Sequence, residues 1–400
     1  MGRATDRLLL RDCRLADGAT ADVLIVSGRI ERVAPGGAIS VSDEISTFDA
    51  GGGLLTPGLT DPHIHPDKAF GLEAEEAEPA ATLSDAIARV RAQKPNQTAE
   101  AICARTVRLA EWCLSLGTTR ARVHAEVDPL LGLRSVEGVL AARAALRGRM
   151  HLQVVAFPQE GILREPGTLE LLGQAMRLGC DVVGAITYID PEPRQHLELV
   201  AKLANEFGVP LDVHADFGIP VDRSALGTIA EVASEYDLRG RVLVGHATTL
   251  ATMEPSHRAA VIGRLADAGI DVCCLPRTDL FLDRQVAPLE ELRMAGIGAW
   301  LGTNNIQNAF TPVGRPSLPS AAAVYALAAG QGARPAFDAL AASLWGAASS
   351  IIPALASPAV VPGAAADLCL WPCASAWQLV AAEPQPVAVL VGGDFVRPAH

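Results

Sequence analysis

The chain has 400 residues and a mass of 41.7 kDa, half of it apolar and 20% charged, which supports a large packed core and rules out a disordered polymer. Lys and Arg total 33 against 45 Asp and Glu, for a formal net charge of −12 and a sequence pI of about 5.2. Such a surface offers no basic footprint for a nucleic-acid backbone or an anionic membrane, so neither is expected as a partner.

The opening run MGRATDRLLLRDCRLADG meets charge before any leader-like apolar core forms, and nowhere do about 18 uncharged apolar residues line up. A cytoplasmic protein is expected. From Arg7 to Ala50, the short runs LLLRDCRL, DVLIVSGRIERVA and EISTFDA are separated by Gly, Asp and Pro, which suits the hairpins of a small sheet. The triplet GGG at 51–53 precedes a strand and reads as a turn between domains. From about residue 56 to 350, strand-like runs alternate with helix-period segments, the pattern of parallel βα units. The strands are expected at Leu59–Ile64, Thr118–Val123, Leu152–Ala156, Val182–Thr187, Leu211–Val213, Val242–Gly245, Ile270–Leu275 and Ile297–Gly302. Helices are expected at Leu83–Gln93, Ala99–Leu116, Thr168–Leu178, Arg194–Phe207, Ser224–Tyr236 and Pro255–Ala268, several closed by a glycine (Gly117, Gly179, Gly208, Gly269) where a C-cap belongs.

Eight strands are the count of a closed (β/α)8 TIM barrel, although a doubly wound open sheet shares much of the pattern. Strand texture returns in ADLCLWP at 366–372 and VAVLVGGDFV at 387–396. The expected architecture is therefore a barrel over 56–354 and a small β-sandwich domain built from both termini, 1–55 plus 355–400. The eight cysteines are scattered, with no close-spaced zinc framework, and read as reduced, mostly buried thiols.

In such a barrel, reactive side chains sit at the C-terminal ends of the strands. His63 and His65 follow the first barrel strand, His124 the second, His214 the fifth and His246 the sixth. Two positions apart on extended chain, the rings of His63 and His65 project to one face and can meet one divalent ion. Alone, an H-x-H is also what two surface imidazoles would give; the histidines at later strand ends favour the metal. Imidazole ligands suit zinc, iron or another first-row ion better than calcium or magnesium.

The runs PGLTDPHIHPDKAF, GTTRARVHAEVDP, LQVVAFPQEGIL, DVVGAITYID, PLDVHADF, VGHATTL and LGTNNIQNAF resemble, in order, the strand ends of the cytosine deaminase branch of the amidohydrolase superfamily. The resemblance runs from about Leu9 to Arg397 and implies one Zn or Fe ion held by His63, His65 and His214, with the position of Asn304 as the remaining protein ligand. It further implies that the ion activates a water for attack on an amino-bearing ring carbon, that His246 orients that water, and that Gln159 holds the heterocycle's edge.

Two departures fall on proton handling. Where the family pattern has a glutamate three residues after the fifth-strand histidine this chain has Phe217, and where it has an aspartate after the eighth strand it has Asn304, followed by Asn305 in place of an acidic neighbour. Phenylalanine moves no proton, and asparagine is a neutral, poorer ligand. General acid–base assistance is worth about 10²–10⁴ in rate, so ordinary deamination should suffer. Asp216, Glu126 and Asp128 are the nearest carboxylates by the fold argument; each is either a catalytic substitute or a barrel-mouth charge tied to the backbone. Arg277 either binds an anionic substrate or pairs with Asp279 or Asp216. Phe310, at the family's ring-covering position, and Phe217 make the pocket apolar, while Lys68 either pairs with a carboxylate or touches the ligand.

The expected function is a metal-dependent amidohydrolase acting on a C–N bond of a cyclic amidine or amide, a small cytosine-like and anionic nitrogen heterocycle, with an altered proton relay. Two alternatives stay open: a lyase, isomerase or cyclase using the same pocket, and a non-catalytic ligand-binding relative, since fold does not fix function. A homo-oligomer is compatible with each.

Overall fold

The computed structural model describes residues 7–40, 42–73, 80–347 and 359–397. The N-terminal part supplies β1 (Arg7–Arg14), β2 (Thr20–Val26), β3 (Arg29–Pro35), β4 (Ser46–Asp49) and β5 (Leu54–Pro57). The barrel strands are β6 (Leu59–Ile64), β7 (Thr118–Glu126), β8 (His151–Phe157), β9 (Val182–Ile186), β10 (Leu211–Ala215), β11 (Val242–His246), β12 (Asp271–Cys274) and β13 (Ala299–Leu301). The C-terminal part returns β14 (Leu368–Trp371), β15 (Ala388–Val391) and β16 (Asp394–Arg397).

Strands β6 to β13 pair in sequence order, all parallel. The barrel closes where Asn304 N donates to His63 O at 2.8 Å and His65 N donates to Asn304 O at 2.9 Å. Helices alternate with the strands because the apolar residues recur at helical spacing and the ends are capped. Thr82 and Thr98, for example, accept from Asp85 N and Ala101 N at the starts of Leu83–Gln93 and Ala99–Ser115. The expected open-sheet alternative is thereby set aside. The helices Arg134–Ala145, Leu318–Ala328 and Arg334–Gly346 lie outside those named from sequence, as do the short Pro276–Leu282, Leu289–Met294 and Trp377–Ala382, which have too few turns to show a stripe.

The terminal strands form one mixed sheet, ordered β16-β15-β14-β5-β1-β2-β3, with β4 beside β1. Side chains alternate between its faces: Leu10, Val23, Ile25, Leu368 and Leu390 fill one apolar cluster, while Leu9, Leu24 and Ala34 fill another. The small sandwich thus draws on both ends of the chain. Strand β5 runs two residues past the expected division after residue 55, and the expected division at 354/355 lies outside the described residues.

This domain docks at the end of the barrel where β6 and β7 begin, away from the histidines. Trp371, fully buried, donates from Nε1 to Thr56 Oγ1 at 2.9 Å, and Arg120 pairs with Asp367 at 2.6 Å. Gly117 closes the helix before β7 at φ +95°, and a Cβ there would meet the Trp371 ring at 2.9 Å. Among the described residues, no helix is long and apolar enough to cross a membrane.

Candidate active site

The C-terminal ends of the barrel strands gather five buried imidazoles. His214 is central: its Nε2 lies 3.0 Å from His63 Nε2 and 3.1 Å from His65 Nε2. Burial holds the pKa of all three rings well below the ordinary histidine value, and neighbouring imidazoles, with Lys68 for His65 and His214, push the same way. The rings are neutral, the form that ligates a metal. An ion 2.0–2.1 Å from each nitrogen would hold those nitrogens roughly 2.9–3.4 Å apart at ligand angles between about 90° and 110°. Both contacts of His214 fall within that spacing.

His124 joins this cluster: ligand atoms of His63, His124 and His214 all lie within 4.8 Å of one another. Its Nε2, however, is taken by Asp212 Oδ1 at 2.9 Å, and Asp212 also binds Arg122 at 2.8 Å. The ring of His124 packs 4.0 Å from that of His63 and 4.7 Å from that of His65. His124 thus packs against both rings, and its Nδ1, which has no hydrogen-bond partner among the described residues, stays available to the cluster.

Asn304, at φ +60°, closes the cluster at the end of β13. Its Oδ1 accepts from Asn305 Nδ2 at 2.9 Å; Asn305 Oδ1 in turn accepts from Asn308 Nδ2 at 2.8 Å. An amide oxygen keeps a second lone pair, so Asn304 can still offer one.

The cavity beside the imidazole cluster is lined by His65, Lys68, Gln159, Tyr188, His214, Phe217, His246, Thr278, Asn304, Asn305 and Phe310. Among these described lining residues there is no carboxylate. Its volume is about 10 Å³, room for about one water, so a ring-sized ligand requires Tyr188, Phe217 or Phe310 to turn aside. Lys68 pairs with a carboxylate and also lines the cavity: Nζ binds Glu126, lies 3.2 Å from Gln159 Oε1, and sits 5.1 Å from the Phe310 ring centroid. Behind it, Lys94 binds Glu126 at 3.1 Å, Asp128 at 2.7 Å and Glu160 at 2.8 Å. Burial works against the charge of Glu126, but Lys68 and Lys94 outweigh it and hold the carboxyl down at about 2.

His246 stands on a positive-φ corner, φ +74°, and its Nδ1 lies 2.6 Å from Asp279 Oδ1. Asp279 also accepts from Leu275 N at 2.8 Å, which fixes the imidazole from behind and turns Nε2 towards the cavity. Phe217 lies flat against that ring.

The structure does not bring Asp216 or Arg277 to the cavity. Asp216 accepts from Ala225 N at 2.8 Å and Thr249 Oγ1 at 2.5 Å, which commits one carboxylate oxygen to the loop after β10 and the other to the loop after β11. Arg277 binds Ser320 Oγ at 2.6 Å and Arg315 O at 3.2 Å; it pairs with neither Asp279 nor Asp216. Tyr188, Thr278 and Asp212 were not singled out by sequence, Asp279 was marked only as a partner for Arg277, and only the strand-end position of His124 marked it.

Comparison with known proteins fits this arrangement. The amidohydrolase family model matches residues 46–315. The chain belongs to the amidohydrolase family. That places it among hydrolases of C–N bonds, as the strand-end motifs imply. This amidohydrolase is 30% identical over 330 residues to the N-isopropylammelide isopropyl amidohydrolase of Pseudomonas sp. strain ADP, covering 79% of each chain. Its fold matches the solved N-isopropylammelide isopropylaminohydrolase of Burkholderia multivorans with a TM-score of 0.89 at 27% identity, over 98% of both chains. The 5-methylcytosine deaminase of Klebsiella pneumoniae shares the fold, with a TM-score of 0.92 at 22% identity over 98% of both chains.

Proposed function

We propose that this amidohydrolase hydrolyses the exocyclic C–N bond of a small nitrogen heterocycle of the aminopyrimidine or aminotriazine kind. The observation that carries the reading is the approach of His63 and His65 Nε2 to His214 Nε2 beside a cavity that combines Gln159 and Lys68 with Phe217 and Phe310. His63, His65 and His214 would hold a divalent ion, Zn or Fe, with Asn304 in the place of a carboxylate. Bound there, the ion supplies Lewis acidity and lowers the pKa of a water. Gln159 hydrogen-bonds the polar edge of the ring, and Lys68, braced by Glu126, orients Gln159 and presents a proton donor to the same edge. Phe217 and Phe310 enclose the ring's faces and keep water out. His246, fixed by Asp279, accepts a proton through Nε2.

A second reading, in which the pocket serves a non-hydrolytic reaction on a similar ring, is favoured by one observation: no carboxylate lines the cavity among the described residues. Metal analysis of protein purified without added metal, paired with ammonia release from cytosine and isopropylamine release from N-isopropylammelide, separates the two. We expect close to one equivalent of Zn or Fe and measurable release. Less than a tenth of an equivalent, with release restored only in Phe217→Glu/Asn304→Asp, overturns the first reading.

A further inference from the structure

A second cavity, about 540 Å³, adjoins the first across a thin wall. Tyr188 lines both; Gln159 and Phe217 face the inner one, while their chain neighbours Glu160 and Gly218 face the outer one. One side of the outer cavity is aliphatic, formed by Leu83, Ile87, Ile189 and Ile219, and its rim carries Arg91, Arg164 and Arg223. Arg91 is committed to Glu160 at 3.1 Å and Glu165 at 2.7 Å. The guanidinium groups of Arg164 and Arg223 have no partner among the described residues, in a chain whose net charge is −12.

The backbones bearing these two arginines are pinned by buried carboxylates. Asp190 accepts from Ile162 N at 2.8 Å, Leu163 N at 3.0 Å and Arg164 N at 3.0 Å, and His196 Nδ1 lies 2.6 Å from the same group. His196 Nε2 accepts from Ile186 N at 3.3 Å, so Nδ1 carries the proton that faces Asp190. On the opposite lip, Asp216 accepts from Ala225 N, two residues beyond Arg223, and ties that segment to Thr249. Anchored loops fix the backbones that carry the two charges at the mouth.

We propose that this outer cavity is an oxyanion-binding vestibule, in which Arg164 and Arg223 take a carboxylate or phosphate group carried by the substrate while its ring occupies the inner cavity. The assignment of the ring rests on the function proposed above; the anion site does not. It moves the anionic character expected of the substrate from Arg277 to these two residues. A planar guanidinium pairs two N–H groups with two oxygens of such an anion, and the aliphatic wall suits the chain that links anion to ring.

Phenylglyoxal labelling of the full-length protein, read by peptide mass mapping, tests the anion site without any ring. Malonate or inorganic phosphate should slow labelling of Arg164 and Arg223 at least threefold while leaving exposed Arg194 unchanged, and malonamide should not. Equal labelling at Arg164 and Arg223 with and without either anion overturns the proposal. Calorimetry then separates the sources and links the sites, using cytosin-1-ylacetate, cytosin-1-ylmethylphosphonate and cytosin-1-ylacetamide. The better anion should bind at least tenfold more tightly than the amide, and Arg164→Gln/Arg223→Gln should erase the difference; an unchanged preference in that variant overturns the proposal. Anion protection with no binding of any ring compound instead refutes the heterocycle reading and leaves the vestibule supported.

Discussion

Phe217 stacks on His246, with ring centroids 4.0 Å apart and planes 12° from parallel. The contact stands where the family pattern has a glutamate, so an apolar plate covers the imidazole that Asp279 steadies from the other side. Both rings are buried, and Tyr188 meets Phe217 edge-on at 6.2 Å.

Phe217 should therefore contribute to stability as well as to the pocket. Truncating a buried phenylalanine to alanine costs about 3–5 kcal/mol, the stack included. Phe217→Ala is expected near the lower bound because it opens into an existing cavity, and Phe217→Leu near about 1 kcal/mol. Urea unfolding midpoints at pH 7 measure both; equal stability of the alanine variant and the parent would show that the ring is not packed as described.

The imidazole cluster makes a sharper distinction. On the proposed ligand set, loss of His124 removes a packing partner, whereas loss of His65 removes a nitrogen 3.1 Å from His214 Nε2. His65→Ala should purify with less than a tenth of the parent's metal content, and His124→Ala with more than half. Elemental analysis after dialysis decides, and the reverse order would assign the ligand set to His63, His124 and His214.

The gathering of buried imidazoles was legible in sequence because it depends on local rules: period-two projection from an extended strand and the placement of reactive residues at strand ends. Neighbouring positions were not legible, because a single backbone corner decides which of two adjacent side chains faces inward. At φ +54°, Asp216 turns into the loop and sends Phe217 to the cavity. A helix starting at Pro276 directly after β12 turns Thr278 inward, swings Arg277 towards Ser320, and brings Asp279 to His246. The clustering of Lys94 with Glu126, Asp128 and Glu160 joins segments tens of residues apart, and no local pattern encodes it.

The anchor beneath Arg164 carries a pH signature. Burial opposes the charge of Asp190, but His196 and the backbone N–H groups of residues 162–164 outweigh it and depress the carboxyl to about 2. A depressed carboxyl contributes stability that is fully present above its unfolded pKa, near 4, and is lost as pH falls through the folded value. The size is about 2 kcal/mol. In Asp190→Asn the amide nitrogen faces N–H donors and the charge is gone, so the variant should be about 2 kcal/mol less stable at pH 5–7. The gap should shrink to about half by pH 3, where the carboxyl is already protonated in the unfolded chain but still ionised in the folded one. Urea unfolding across that range measures the gap; a difference independent of pH would show that the loop is held by the shape of the hydrogen bonds and not by the charge.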